Sequence, residues 1–261
     1  MKETRFERNL KAATDNLNKL YGTYRTVLDM ARLFMGGVYI PKFVNEYSID
    51  ERKKTAIVLL GYSCSGKTSY AFDFINSHPE FELLSMDECA TKEIMENPMK
   101  YLYGTQNPLK SDAGIRTFGE RIEKGTKLVI DGCWLHINIR CAILKTLREL
   151  GYQVIGLSFL NIPQEQYMQR IESRVLQFMA QEKVGGAPTL EPIDWIKEYC
   201  EKSGKTRDTV VAELRADKKF EEDKQSEISR IQNEFLTSGI KNQIDSKFVY
   251  LGFHQFLDLN G

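Results

Sequence analysis

The sequence has no excess of charge of either sign. Its 36 lysine and arginine residues equal its 36 aspartate and glutamate residues, so the formal net charge at pH 7 is zero. This balance excludes a globally basic protein that coats nucleic acid, and it excludes an acidic disordered tail. A local basic patch remains allowed, because only the summed charge is zero. The hydrophobic share of 42% and the charged share of 28% are typical of an ordinary globular protein.

Long apolar runs and paired cysteines are also missing. No run approaches the roughly 20 residues that a membrane-spanning helix needs, and the first residues, MKETRFERNL, lack the apolar core of a signal peptide. The five cysteines form no CxxC pair, which argues against a zinc site and a disulfide framework. We therefore expect a cytoplasmic protein with free thiols and no membrane association.

Short apolar runs alternate with helical stretches from residue 55 onward. The run Ala56–Leu60 is continuous rather than alternating, which is typical of a strand buried on both faces of a parallel sheet. The further strand candidates are residues 81–85, 127–130, 154–160 and 248–251, and the helical stretches are residues 67–77, 113–124, 138–150 and 164–181. This alternation predicts an α/β three-layer fold with a mostly parallel sheet.

A heptad stripe runs along the first 36 residues. Its apolar members are spaced alternately four and three apart, and Gly36 and Gly37 end the predicted helix. The stripe consists of Phe6, Leu10, Ala13, Leu17, Leu20, Tyr24, Val27, Ala31 and Phe34. We expect residues 1–50 to be an N-terminal helical extension. Its stripe either packs on the body of its own chain or joins copies of the chain into a homo-oligomer.

The remaining residues, 51–261, are expected to form the main domain. Residues 183–192 hold two glycines and two prolines, which is typical of a mobile loop, and we place a lid around residues 170–192. Residues 193–236 are highly charged and helical in character. They form a predicted C-terminal helical addition.

The strongest motif is GYSCSGKT at Gly61–Thr68, directly after the first buried strand. It fits the pattern GxxxxGK[ST], whose end glycines let the loop aim backbone N–H groups at a phosphate. The helix that begins near Gly66 adds its positive N-terminal end. Lys67 is expected to reach the β- and γ-phosphates, and the Thr68 hydroxyl is expected to bind Mg²⁺. The motif in this strand–loop–helix setting predicts a P-loop NTPase fold with ATP and Mg²⁺ as cofactors.

The predicted nucleotide-binding residues are those of the loop and the first turn after it. They are Gly61, Ser63, Cys64, Ser65, Gly66, Lys67, Thr68 and Ser69. Cys64 is interpreted as a small residue that the loop tolerates. The alternative is that the helix N-terminus lowers its thiol pKa and makes it sensitive to oxidation.

Two carboxylates stand where predicted strands end. In open α/β sheets, ligands bind at the carboxyl ends of strands, so Asp87 and Asp131 are expected near the loop. Asp87 is the candidate general base that accepts a proton from an attacking hydroxyl. Asp131 is the candidate Mg²⁺ ligand together with Thr68. The alternatives are a helix N-cap for Asp87 and an N-cap or turn role for Asp131.

Two arginines precede the glycine- and proline-containing loop. Arg170 and Arg174 are one helical turn apart, so they share one face of the predicted helix. Arginines on a lid can make bidentate hydrogen bonds to the oxygens of the phosphoryl group that is transferred. Both residues are therefore catalytic candidates beside Lys67. The alternative is an ordinary solvated face, with Glu172 nearby.

The order of these parts resembles the polynucleotide kinase-like branch of P-loop phosphotransferases. That branch includes phage-type 5′-hydroxyl polynucleotide kinases and, more distantly, zeta-type toxins. The matching pieces, over about residues 55–200, are GYSCSGKT, INSHPEF leading to Met86-Asp87, LVIDG, ELGYQVIGLSFLNIP, QRIESR and Pro192-Ile193-Asp194. The resemblance implies an ATP- and Mg²⁺-dependent kinase. In such kinases the residue matching Asp87 is the general base, and the arginine matching Arg174 belongs to the lid and stabilises the transferring phosphoryl group.

The acceptor half of the resemblance is altered. The family usually has an arginine three residues after the catalytic aspartate, where this chain has Ala90, and its Asp-(Thr/Asn)-Asn is here Asp131-Gly132-Cys133-Trp134. The predicted acceptor is a hydroxyl on a nucleic acid end or on a small sugar- or nucleotide-like molecule. The alternatives are a zeta-toxin-like kinase of a nucleotide-sugar and a regulatory P-loop NTPase or assembly module.

Overall fold

The computed structural model covers the chain in several stretches. It describes residues 3–20, 34–35, 42–85, 89, 112–187, 193–238, 240–245 and 252–259. Asp87, Ala90 and the strand predicted at residues 248–251 lie outside the described residues, and so does the middle of the predicted heptad helix.

A parallel β-sheet forms the centre of the molecule. Its strands, within the described ranges, are β1 (Lys42–Phe43), β2 (Thr55–Gly61), β3 (Glu82–Ser85), β4 (Lys127–Asp131), β5 (Gln153–Phe159) and β6 (Gln255–Asp258). They lie in the order β1-β6-β5-β2-β4-β3, and each neighbouring pair is parallel. The central strand β2 is buried along its whole length, as its continuous apolar run predicted. The predicted α/β P-loop NTPase fold is confirmed.

Helices cover both faces of the sheet. The described helices are α1 (Arg5–Leu20), α2 (Lys67–Ser77), α3 (Asp112–Lys124), α4 (Ile137–Glu149), α5 (Gln164–Val184), α6 (Trp195–Ser203), α7 (Arg207–Ala216), α8 (Lys218–Ser238) and α9 (Ile240–Asp245). Alternate side chains of β2 divide between the two faces. Val58 belongs to the same buried cluster as Phe118 of α3 and Ile143 of α4. Ile57 belongs to a second cluster, together with Phe74 of α2. No helix in these described ranges is long and apolar enough to cross a membrane.

Helix α1 packs on α3 and α4 of its own chain. Phe6 is fully buried, and its ring centroid lies 5.1 Å from that of Phe118. The Asn9 side-chain amide donates a hydrogen bond of 2.9 Å to the Thr146 hydroxyl. Ala13 is buried in the same core. These members of the first turns therefore face the body of the chain, and homo-oligomerisation through the rest of the stripe stays a prediction.

The helices α5 to α8 have an apolar cluster of their own beside the sheet. Its buried members are Val175, Leu176, Met179, Ala180, Ile196, Val210, Leu214 and Phe220. Ion pairs surround the cluster, among them Lys224 with Glu172 at 2.6 Å, which links α8 to α5. The predicted charged helical segment is thus three helices that pack against α5, the helix that carries both candidate arginines.

The loop after β4 is held by a buried arginine. Arg140 of α4 is 1% exposed, and it donates hydrogen bonds to the carbonyl oxygens of Trp134 at 2.8 Å and Leu135 at 3.2 Å. It also donates to the side-chain oxygen of Gln243 in α9. Burial lowers the pKa of the Arg140 guanidinium to about 10. The guanidinium therefore ties the loop that follows Asp131 to both α4 and α9.

Replacing Arg140 by methionine is expected to lower the free energy of unfolding by about 2–3 kcal/mol, because the Trp134 carbonyl and the Gln243 amide lose a buried donor. Urea denaturation followed by circular dichroism measures this difference. The control is Arg207→Ala, which removes an exposed pair with Asp194 at 2.7 Å and should cost less than about 1 kcal/mol. Equal stability of the Arg140→Met variant and the unchanged protein would contradict the assigned role.

Candidate nucleotide-binding site

The phosphate-loop motif lies between the central strand and a helix, as the sequence predicted. Strand β2 ends at Gly61, and α2 begins at Lys67. Gly66 precedes the helix with φ of 96°, a left-handed conformation that favours glycine. A Cβ at Gly61 would stand only 2.9 Å from the side chains of Phe159 and Ser65. Gly66 is therefore needed for the loop conformation, and Gly61 is needed for close packing. Thr68 and Ser69 lie in the first turn of α2.

The ammonium group of Lys67 lies inside the loop. The residue is 6% exposed, and its Nζ donates hydrogen bonds to the Tyr62 carbonyl oxygen at 2.6 Å and to the Ser65 hydroxyl at 3.2 Å. A cation held by oxygen atoms at the N-terminus of a helix is suited to meeting an anion there, since both the charge and the helix end favour it.

Thr68 and Asp131 bring two oxygen donors together. The Thr68 hydroxyl donates a hydrogen bond of 2.6 Å to Oδ2 of Asp131, which is 5% exposed at the end of β4. Strand β4 pairs directly with β2, so the two residues meet at the carboxyl edge of the sheet. A hydroxyl and a carboxylate are hard oxygen ligands of the kind that Mg²⁺ prefers, and they leave other positions for phosphate and water. The donor set fits a magnesium ion.

Helix α5 lies against the phosphate loop. Arg170 donates from Nη1 to the Ser65 carbonyl oxygen, and the same nitrogen lies 3.0 Å from where a Cβ on Gly66 would stand. One turn earlier, the Tyr167 hydroxyl donates a hydrogen bond of 2.7 Å to the Ser63 carbonyl oxygen. The structure thus brings Arg170 onto the loop. The alternative of an ordinary solvated helix face does not describe this residue.

Arg174 lies one turn further along α5. Its Nε is 3.8 Å from Oε1 of Glu227 in α8, and its guanidinium carbon is 5.2 Å from the centroid of the Phe178 ring. The charge of Arg174 and a hydrogen bond from it act on the thiol of Cys64 in the loop. Arg170 and Arg174 therefore both reach the loop, and α8 shares in the environment of the second.

Burial is the main influence on the thiol of Cys64. The alternative that the helix N-terminus lowers its pKa is wrong, because burial raises the pKa of the thiol. The charge of Arg174 lowers that pKa and the nearby Glu227 carboxylate raises it, and the net direction is upward. The interpretation as a residue that the loop tolerates is consistent with this environment, although its φ of 63° is unusual for a residue with a side chain.

Two residues of the predicted acceptor side fall outside the described residues. They are Asp87, the candidate base, and Ala90, which stands where the resembled family usually has an arginine. Strand β3 is described to Ser85, whose Cα is paired in register with that of Asp131. Asp87 follows two positions later in the sequence, and Ala90 follows Cys89.

Sequence reasoning missed the contribution of α8. Glu227 is 2% exposed, and its carboxylate accepts a hydrogen bond from the Cys64 thiol at 3.8 Å. Phe235, on the same helix, has its ring centroid 5.9 Å from that of Tyr62 in the loop. No motif marks these positions. In the sequence, Glu227 is one acidic residue among many in a charged helix. Nothing near it indicates that its partner is Cys64, which is far away in the sequence.

A parallel α/β sheet with a phosphate loop between its central strand and the following helix defines a P-loop nucleotide-binding protein. A family model described as an AAA domain matches residues 57–190, and this chain belongs to that family. The fold implies nucleotide binding. No curated protein is significantly similar to the chain.

Solved structures are similar to the chain at low identity. One comes from the PezAT chromosomal toxin-antitoxin system of the human pathogen Streptococcus pneumoniae, with 13% identity and a TM-score of 0.40, covering 87% of this chain and 97% of that one. Another is a gluconokinase from Sinorhizobium meliloti 1021, with 15% identity and a TM-score of 0.34, covering 71% of this chain and 98% of that one.

Proposed function

We propose that this protein is an ATP- and Mg²⁺-dependent kinase that transfers the γ-phosphoryl group to a hydroxyl acceptor. One observation carries the proposal: the Lys67 ammonium, the Thr68–Asp131 pair and the Arg170 guanidinium all meet at the same loop. A protein that binds a nucleotide without transferring its phosphate needs only the loop. An arginine placed on the loop from a separate helix adds what phosphoryl transfer requires, which is neutralisation of charge on the transferring group.

Each residue has a role in this proposal. Lys67 exchanges its contacts with loop oxygens for the β- and γ-phosphates, while the backbone N–H groups of the loop hold the β-phosphate. Thr68 and Asp131 would hold Mg²⁺, which would supply charge that neutralises the phosphate oxygens. Arg170 and Arg174 bind oxygens of the γ-phosphoryl group through charge-assisted hydrogen bonds.

Asp87 is proposed as the general base. It stands two residues after Ser85, the end of β3, and Ser85 is paired with Asp131, which supports a place at the same sheet edge. Its carboxylate would take the proton of the acceptor hydroxyl as the oxygen attacks the γ-phosphorus. ADP is then the leaving group.

The test of the function is transfer of labelled γ-phosphate. One arm offers 5′-hydroxyl oligonucleotides and the other a pool of small metabolites, each with Mg²⁺ and ATP. A polynucleotide acceptor predicts binding that weakens steeply with salt, because counterions are released, and a small molecule predicts no such dependence. ATP hydrolysis without any acceptor, together with nucleotide-dependent association in sedimentation, would favour the regulatory NTPase instead.

Thr68→Val is expected to raise the Mg²⁺ concentration needed for half-maximal nucleotide binding about tenfold, because it removes a ligand oxygen and leaves Asp131 to act alone. Thr68→Ser keeps the hydroxyl and serves as the matched control. A magnesium titration followed by calorimetry measures the change. A Thr68→Val variant with the magnesium dependence of Thr68→Ser would show that this hydroxyl is not a metal ligand.

A further inference from the structure

Helix α8 contributes a buried carboxylate to the phosphate loop from outside the family match. The match ends at residue 190, and Glu227 stands well beyond it. Its side chain is 3% exposed, and Oε1 lies 3.8 Å from the Cys64 sulfur in the loop. An acidic group beside a loop that binds an anion is unfavourable unless cations balance it. The cations that balance Glu227 are two arginines.

Two arginines surround Glu227. Arg230 makes a bidentate contact with it, donating from Nε to Oε2 at 2.8 Å and from Nη2 to Oε1 at 2.7 Å. The Nε of Arg174 lies 3.8 Å from the same Oε1. Burial alone would raise the pKa of Glu227, but the hydrogen bonds from Arg230 and the charges of both arginines outweigh it and leave the pKa below its ordinary value. The carboxylate is therefore ionised at neutral pH.

The two arginines are not equivalent in this arrangement. Arg230 lies on the same helix as Glu227 and satisfies both of its oxygens, so it compensates the buried charge. Arg174 comes from α5, lies at a longer distance, and also acts on the Cys64 thiol of the loop. Glu227 thus links α8 to the Arg174 guanidinium beside the loop. A restrained arginine loses less rotamer freedom when it binds a phosphate.

We propose that Glu227 is a positioning residue that holds the Arg174 guanidinium beside the phosphate loop, where it meets the γ-phosphate of a bound nucleoside triphosphate. The inference rests on the proposed function, which gives Arg174 that contact. It extends the site to a helix that lies beyond the matched family domain.

The chain offers a matched control on the same two helices. Glu172 of α5 pairs with Lys224 of α8 at 2.6 Å and lies 3.7 Å from Arg215 of α7. It stands two residues before Arg174 in sequence. Removing its charge should weaken the contact between α5 and α8 and leave the Glu227–Arg174 ion pair in place. Glu172→Gln therefore separates the packing of these helices from the positioning of the arginine.

The experiment compares two nucleotides that differ in the γ-phosphate. Titration calorimetry with the full chain and Mg²⁺ measures the affinities for ADP and for the β,γ-imido analogue of ATP. Arg174→Ala should lose about tenfold in affinity for the ATP analogue, the worth of one charge-assisted hydrogen bond, and little for ADP. Glu227→Gln should show the same selective loss, about three- to tenfold. In the Arg174→Ala background Glu227→Gln should add less than twofold, because the guanidinium that it positions is gone.

A second variant guards against a folding defect. Glu227→Asp keeps the charge for Arg230 on the same helix but withdraws the carboxylate from Arg174, so the selective loss for the ATP analogue should persist in a protein that melts normally. Glu172→Gln should leave both affinities unchanged.

Three results would overturn the inference. They are an equal loss for both nucleotides in Glu227→Gln and Glu227→Asp, an undiminished Glu227→Gln effect in the Arg174→Ala background, and tighter binding of the ATP analogue after either Glu227 substitution. Failure of the proposed function is recognised separately. An absence of labelled phosphate transfer to every acceptor refutes the kinase, whereas the nucleotide affinities test Glu227 without any acceptor.

Discussion

Asp87→Asn is expected to lower the rate of phosphoryl transfer by about 10²–10⁴-fold, the usual contribution of a general base, while the affinity for ATP stays nearly unchanged. The amide has almost the shape of the carboxylate but cannot accept the proton of the acceptor hydroxyl. The proposed base acts on the acceptor hydroxyl rather than on ATP, so nucleotide binding should not report the change. Transfer of labelled phosphate and calorimetry of ATP binding, done on the same preparation, measure the two quantities.

The neighbouring acid is the control for this substitution. Glu88→Gln changes the same charge one position later in the sequence, and it should leave the transfer rate within a few-fold of the unchanged protein. Equal activity in Asp87→Asn would refute the base assignment. A matching loss in Glu88→Gln would indicate that the local charge matters rather than one positioned base.

Lys67→Met is expected to reduce the transfer rate by about 10²–10³-fold, because it removes a donor aimed at the charge that develops on the phosphoryl oxygens. The affinity for ATP should also fall about tenfold, since one charge-assisted hydrogen bond is lost. The methionine side chain fills a similar space in the loop, so thermal stability should change little. Kinetics with saturating ATP separate the two losses.

Lys127→Met is the control, because Lys127 lies at the end of β4 that is far from the nucleotide site. Lys127 begins β4 and lies 3.7 Å from Glu80, whereas Asp131 ends the same strand at the nucleotide site. Its replacement should leave both transfer and ATP affinity unchanged. If Lys67→Met behaved like Lys127→Met, the loop could not be the phosphate site.

Much of the central sheet followed from sequence alone. The runs that became β2, β4 and β5 were each placed within about a residue, because strands buried on both faces are made of continuous branched and apolar residues. The edge strand β3 was placed as closely, although its first residue is exposed. The loop Gly61–Thr68 was equally clear, since its glycines and its lysine are required by the geometry of phosphate binding. Buried strands and phosphate loops can be predicted because each depends on residues that are adjacent in the sequence.

The sheet's last strand was not predictable in the same way. The sequence favoured residues 248–251, which lie outside the described residues, while β6 is formed by Gln255–Asp258. Only Phe256 of this strand is buried, so its sequence has no distinctive apolar run. Its pairing with β5 and with β1 selects it, and that partnership joins segments far apart in the chain.

The part that α8 plays in the site was hidden for a related reason. Charged helices of this composition normally face solvent, and the pattern around Glu227 does not distinguish a buried carboxylate from its exposed neighbours. Its burial follows from a long-range meeting with Cys64 and Arg174, which no local spacing encodes. Residues that complete a site from a distant helix need the tertiary structure before they can be found.

The position of β6 also bears on how the protein can be shortened. This strand pairs with β5, and just before it the His254 N–H donates a hydrogen bond of 2.8 Å to the Val154 carbonyl oxygen. A fragment cut to the matched segment, residues 57–190, would uncover the long apolar edge of β5 and invite strand pairing between molecules. Soluble fragments for biophysical work should therefore retain residues 252–259, even though the recognisable nucleotide-binding motif ends far upstream.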